Sequence, residues 1–397
     1  MAIAECVGSL HFLACKHTLA ITSLISSLLA TQALVHARPD PTAVNRQFGS
    51  RADAPALEVL LPGRDNRQFL IYWVAEASGA FADAGVDVQT TVAPSRAGMP
   101  DLLASRPDLC AVLPVPLLSR ALAQGAPLQI VATLLAGDPA NLVLGSWIAS
   151  EVAATAPVGE RIAALRGKRI GLAHGPVPRL HALLAAGGLG EGDVEIRIVR
   201  GPQQADALAR REIDAVLAHT PYLEQIIRGG HGRLWIHTAS GEIPALADLL
   251  VHAFACGENA LTGRRDAVRA AAMALQRSAD LIRSRPDRAA ALVGAALEQP
   301  VTEDLSLLVE LYAPAVPRDL TPSPEALARS AALFPAFGER LSTDPAAVAV
   351  YIADLDHRPA FEISIVLDHL SSGGGDTLLS EPCPLIIGLS SCHGRWS

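Results

Sequence analysis

The chain is poor in lysine, in positive charge and in paired cysteines. Its 32 basic residues include only two lysines, Lys16 and Lys168, against 40 acidic residues. The net charge of −8 argues against a nucleic-acid surface, so no nucleic-acid partner is expected. The cysteines are Cys6, Cys15, Cys110, Cys256, Cys383 and Cys392, and no two are spaced as Cys-x-x-Cys, which removes the usual basis for zinc or dithiol chemistry. Cys110 and Cys256 fall in predicted strands and read as buried free thiols, small hydrophobes in effect; a disulfide between them is the alternative. Catalytic signatures are missing too: there is no Gly-x-Ser-x-Gly elbow, no His-Glu-x-x-His, no Walker loop and no Gly-x-Gly-x-x-Gly. The histidines are scattered and read as structural. No metal and no cofactor are expected, and no catalytic residue is assigned.

Half of the 397 residues are apolar and 18% are charged, enough for two ordinary domains with extensions. Leu19–Leu34 is apolar and Ser/Thr-rich, follows Lys16-His17, and runs into Val35-His36-Ala37 and Arg38-Pro39-Asp40. That is the shape of a secretory signal over residues 1–37, too short and too polar for a membrane span. The stretch before Lys16, with Glu5, is longer than such signals usually carry. Residues 38–56 read as a flexible leader.

One unit occurs twice, first over Leu57–Pro116 and again over Leu165–Pro221. Each copy reads strand, loop, helix, Gly-containing turn, strand, helix, strand. Asp101–Pro116 aligns with Asp206–Pro221 without a gap, with Asp, Leu, Ala, Arg and Pro in matching places. Two α/β lobes of similar build imply a cleft between them, the usual seat of a small ligand. Gln68–Ala80 keeps one face apolar through Leu70, Trp73, Val74 and Ala77 and reads as a helix, with Trp73 on the core side. Strands are predicted at 85–92, near Cys110, Ile130 and Val143, and at 169–173, 194–199, 215–218 and 234–237. The connection from Glu151 to Arg166 reads as helical. Leu249–Cys256 reads as a return to the first lobe. Helices are predicted over 264–283, 286–297, 303–311 and 324–341, and the last twenty residues show no periodicity and read as disordered.

Five segments in order carry a family resemblance. VAEASGAFADAGVDVQ (74–89), RALAQGAPLQIVATL (120–134), ALRGKRIGL (164–172), REIDAVLAHTPY (211–222) and SRPDRAAALV (284–293) resemble stretches of the nitrate/sulfonate/taurine/thiamine-precursor group of ABC-transporter substrate-binding proteins, the NMT1/SsuA-like group. The resemblance spans roughly residues 57–300. It implies an α/β chain with the type II periplasmic-binding fold, each lobe a mixed sheet flanked by helices. Lobe one would comprise 57–140 with 248–345, lobe two 141–247, and 346–397 would be a partly disordered extension. It further implies a periplasmic monomer that captures a small-molecule solute by hinge closure and hands it to the transmembrane subunit of an ABC permease, with no chemistry of its own.

In open α/β sheets, ligands lie beyond the carboxyl ends of the strands. The loops expected there give the candidate ligand set. Arg64 and Asn66 follow the first strand, where helix-start amides suit an anion; Ser95 and Arg96 follow the second. Pro114 and Val115 follow the third and could only form an apolar wall. In the second lobe the candidates are His174, Gly175 and Arg179, faced by Thr220 and Tyr222. Thr220 stands where the family usually has an acidic or aromatic residue, so the family's ligand set does not transfer whole. Arg64, Arg96 and Arg179 on three loops point to an anionic ligand. Two other functions share this architecture: a cytosolic or thiamine-pathway enzyme, though the Cys-rich iron-binding stretch of pyrimidine-precursor synthases is missing here, and a ligand sensor that does not transport.

Overall fold

The computed structural model describes residues 54–334 except 150–151 and 174–177. The signal-like segment, most of the leader, the tail, His174 and Gly175 lie outside the described residues. Strands β1 (Ala56–Leu61), β2 (Asp87–Val92), β3 (Cys110–Pro114) and β4 (Leu128–Leu135) come first, interleaved with helices α1 (Leu70–Ser78), α2 (Met99–Ser105) and α3 (Val115–Ala123). Next come β5 (Asn141–Gly145), α4 (Val158–Ala163), β6 (Arg169–Leu172), α5 (Pro178–Ala185), β7 (Glu195–Ile198), α6 (Gln204–Ala209), β8 (Ala215–Ala218), α7 (Tyr222–Arg228) and β9 (Gly232–Ile236). The chain then returns through β10 (His252–Gly257) and continues in α8 (Arg265–Ser284), α9 (Pro286–Ala296), α10 (Glu303–Tyr312) and α11 (Pro324–Leu333).

The strands form two five-stranded sheets, ordered β2-β1-β3-β10-β4 and β7-β6-β8-β5-β9. In each, three parallel strands meet an antiparallel fourth, which also pairs with the outer fifth. The internal repeat therefore appears as β1-α1-β2-α2-β3 and β6-α5-β7-α6-β8, with the same strand order in both lobes.

Burial follows position in the sheet. The interior strands β3, β5, β8 and β10 are buried on both faces and are nearly continuous apolar runs. The edge strands β2 (DVQTTV) and β7 (EIRI) are largely exposed and polar or charged, which discourages further pairing. The helix predicted over Gln68–Ala80 starts at Leu70 and breaks at Gly79, whose φ of +75° is the left-handed conformation in which glycine pays no Cβ penalty; its N–H closes onto the last turn of α1. The amphipathic α8 turns Ala267, Ala271, Leu275, Ala279 and Ile282 inward and, with α9, packs on α1. Among the described residues of the predicted helical connection 151–166, only α4 is an α-helix, and α11 is described only as far as Leu333. Among the described residues no helix is long and apolar enough to cross a membrane.

Cys110 and Cys256, read as free thiols from sequence, are joined by a disulfide. The antiparallel register of β3 and β10 sets them directly opposite, with Cα atoms 3.9 Å apart across 146 residues of chain. Only that pairing, which sequence does not reveal, makes them neighbours.

Two crossovers join the lobes, one between β4 and β5 and one between β9 and β10, and they are laced together. The Thr238 hydroxyl lies 2.8 Å from the Ala140 carbonyl, the Ala239 amide donates to Asn141 Oδ1 at 3.1 Å, and the Leu249 amide donates to Ala136 O at 2.6 Å. From below, His237 Nε2 lies 2.7 Å from Leu311 O at the end of α10.

Candidate functional site

The carboxyl ends of β1, β2 and β8 face a common space. A cavity of about 260 Å³ opens there, lined by Asp65, Asn66, Arg67 and Gln68 before α1, by Arg96 after β2, and by His219, Thr220, Pro221 and Tyr222 before α7. Both lobes contribute, so the cavity belongs to the cleft.

The loop before α1 is shaped by its own polar groups. Asn66 Oδ1 accepts from the Gln68 amide at 3.0 Å, an Asx turn, while the Asn66 carbonyl accepts from Trp73 Nε1 at 2.8 Å. Trp73 is fully buried, so it anchors the loop from the core. On the facing side His219 Nδ1 lies 2.7 Å from the Thr220 carbonyl, and the His219 and Tyr222 rings meet edge-on at 5.8 Å. Gly201 permits the Tyr222 position: a Cβ there would fall 2.0 Å from a ring carbon.

Beneath the cavity lies a buried polar junction. The Tyr312 hydroxyl, at the end of α10, donates to the Pro139 carbonyl in the first crossover at 2.7 Å and accepts from the Thr220 amide at 3.2 Å. One side chain of the first lobe thus ties the crossover to the second lobe. Burial pushes the Tyr312 phenol well above its ordinary value, so it stays a donor. Thr220 Oγ1 and both carboxylate oxygens of Glu224 are buried without a hydrogen-bond partner. Burial raises the Glu224 carboxyl to about 7; the backbone, the nearby Thr220 hydroxyl and the Arg67 charge pull the other way, without any of them completing a hydrogen bond to it. His252, on β10, is buried beside Phe69 and pushed down to about 3 by the same loss of water, so its ring is neutral.

Of the residues singled out from sequence, Asn66, Arg96, Thr220 and Tyr222 meet at this cavity. Arg64 does not: it pairs with Glu76 at 2.6 Å, donates to Ala296 O and lies over the Trp73 ring, on the flank of α1. Ser95 is exposed and accepts from the Gly98 amide at 3.0 Å, holding its own turn. Val115 is buried with its amide on Val251 O, and Pro114 pairs with His252, so both lie under the β10 connection and not on the cavity. Arg179 donates to the buried Asp138 of the first crossover at 3.2 Å. Arg96 pairs with Asp65 at 2.7 Å. Each of the three arginines that suggested an anion therefore already has a carboxylate. The cation that sequence reasoning passed over is Arg67, which lines the cavity and bonds the neutral Gln299 at 2.9 Å. Gln68, His219, Glu224 and Tyr312 were also passed over. Arg67 and Gln68 adjoin a loop that was recognised, whereas Glu224 and Tyr312 gain their setting only from contact between lobes.

Sequence comparison decides the family. A family model described as NMT1/THI5 like matches residues 66–289, more than half of the chain. The chain belongs to the NMT1/THI5-like family. It matches no curated protein sequence. Among solved structures, the periplasmic aliphatic sulphonate binding protein SsuA from Escherichia coli is 15% identical with a TM-score of 0.53, over 74% of this chain and 95% of that one. The ligand binding component of an ABC-type import system from Staphylococcus aureus is 12% identical with a TM-score of 0.51, over 76% and 97%. The periplasmic sulfonate-binding protein SsuA from Methylobacillus flagellatus is 14% identical with a TM-score of 0.50, over 76% and 91%. At these identities the likeness establishes the fold: this NMT1/THI5-like chain has the type II periplasmic-binding architecture, two mixed sheets flanked by helices.

Proposed function

We propose that this NMT1/THI5-like protein is the extracytoplasmic solute-binding component of an ABC importer, which captures a small ligand between its lobes by hinge closure and presents it to the transmembrane permease. The observation that carries this reading is the cavity between the Asp65–Gln68 loop of one lobe and the His219–Tyr222 loop of the other. About 260 Å³ lies just below the roughly 300–1,000 Å³ of ordinary small-molecule sites, so the ligand is small. Arg67 and the remaining donors of Arg96 favour an anionic group, a sulfonate, nitrate or related species, and the names of the SsuA relatives point the same way. The protein binds without catalysing. It works as a monomer: the large apolar side chains exposed among the described residues, Val92, Ile198, Met273 and Val301, are scattered on separate elements. The Cys110–Cys256 disulfide suits an oxidising compartment, in keeping with export. Lobe one is assigned to 57–140 with 248–345, and lobe two to 141–247.

A thermal-shift series with methanesulfonate, nitrate, small carboxylates and neutral aromatics tests the ligand class, since a ligand that binds only the folded protein raises its melting temperature. Shifts with the anions, reduced in Arg67→Gln, are expected. A shift with neutral aromatics alone would refute the anionic reading.

A further inference from the structure

We propose that closure of the two lobes takes up one proton at Glu224, so that solute capture tightens as the medium becomes more acidic. The inference rests on the hinged-capture reading above and adds to it a second, ionic occupant of the closed form.

Glu224 belongs to α7 in the second lobe, is 1% exposed, and neither of its carboxylate oxygens has a hydrogen-bond partner. An ionised carboxylate in that setting is costly, and a neutral one is far less so. The surrounding groups decide whether the charge could be neutralised otherwise. On its own lobe, Thr220 lies one helical turn back with a hydroxyl that is likewise buried and unpartnered. From the loop before α1, Arg67 lowers the cost of the charge but spends a hydrogen bond on Gln299. From α10, Asp304 adds to the cost, and it is engaged with Arg228, which also holds Glu303. Tyr312, the remaining polar group of α10 at this place, already donates its hydrogen bond to the Pro139 carbonyl. The charges that act on Glu224 from outside α7, Arg67 and Asp304, thus come from the first lobe, while α6 and β9 pack on α7 from its own lobe.

Parting α7 from α10 and from the Arg67 loop would return water to the carboxylate. Its pKa would then fall from about 7 toward the ordinary glutamate value near ~4.3. The sign follows from linkage. The group is an acid whose pKa is raised in the closed form, so the extra preference for closure is complete below the open-form value. It shrinks by about tenfold per pH unit above that value and is exhausted above about pH 7. Across the whole window the closure constant changes by roughly two to three powers of ten.

Small-angle scattering of the full chain between pH 4.5 and 8.5 tests the proposal through the radius of gyration. The wild type should expand as pH rises. Glu224→Gln, which cannot ionise, should stay compact throughout, and Glu224→Leu, of similar bulk and apolar, should do the same by an independent route. Glu310→Gln, an exposed position on α10, should follow the wild type. A wild-type radius that does not change with pH, or variants at 224 that expand in step with the wild type, would overturn the proposal. Methanesulfonate separates it from the ligand reading: no thermal shift with this probe, alongside the expected scattering profiles, would sink the sulfonate assignment and leave the proton linkage standing.

Discussion

Breaking the Cys110–Cys256 bridge should cost this protein a large part of its stability. The bond closes a loop of 146 residues, which includes the whole second sheet. In the chain-entropy model a loop of that length lowers the entropy of the unfolded ensemble enough to contribute about 5 kcal/mol at room temperature, and measured losses on removing native disulfides run at about 2–5 kcal/mol. The cleanest comparison is oxidised against reduced wild type, because every heavy atom is kept. Both sulfurs are buried, so reduction should be done in denaturant and followed by refolding under reductant. Urea unfolding can be followed by the fluorescence of Trp73 and Trp235, both buried, one in each lobe. The reduced protein should unfold at lower urea, with a loss of about 2–5 kcal/mol, and with a steeper transition because the uncrosslinked chain exposes more surface. A loss below about 1 kcal/mol with an unchanged slope would refute the reasoning.

Three further outcomes are expected. Gly201→Ala places a methyl 2.0 Å from a Tyr222 ring carbon, so it should displace that ring, cost about 1–3 kcal/mol in urea unfolding and weaken any anion-induced thermal shift. Thr220→Val removes a buried hydroxyl that has no partner, so stability should hold or rise slightly in thermal melts; a clear loss of stability would show that the hydroxyl is already bonded. Burial works to raise Asp214, but the bonds from the Arg169 side chain and amide outweigh it and hold its carboxyl below the usual aspartate range. A pKa depressed on folding stabilises the protein at pH above the unfolded aspartate value and is lost as pH falls through the folded one. Wild type should therefore lose stability below about pH 4, and Asp214→Asn, less stable at neutral pH, should show a shallower acid decline in thermal melts across pH 2–5.

Local and medium-range signals in the sequence specified most of the architecture. The alternation of apolar and polar residues located most strands within two or three residues, and the ungapped match of Asp101–Pro116 with Asp206–Pro221 anticipated two lobes of similar build, which turn out to share a strand order. Leu249–Cys256 was legible as the return to the first lobe because an interior strand has to be apolar on both faces. What escaped was set by pairing across long stretches of chain. No pattern along the sequence places Cys256 opposite Cys110. Arg64 lies in the loop the fold aims at the ligand, yet Glu76, one α1 length away, draws its guanidinium to the flank. Nothing in the sequence around Glu224 marks it as buried; its setting comes from the packing of α7 on α6, β9 and α10.

The position of β10 also bears on how the chain can be made. Among the described residues, strand β4 joins its sheet only through β10, and β10 lies some 120 residues farther along the polypeptide. The sheet begun by the earliest strands therefore stays open, with the edge of β3 and both edges of β4 unpaired, until residues 252–257 emerge. The sheet built from residues 141–236 is contiguous and can close first. As the chain emerges during synthesis, the later-encoded half is thus the earlier to finish, and the unpaired strands of the first are what a chaperone would have to shield in the interval.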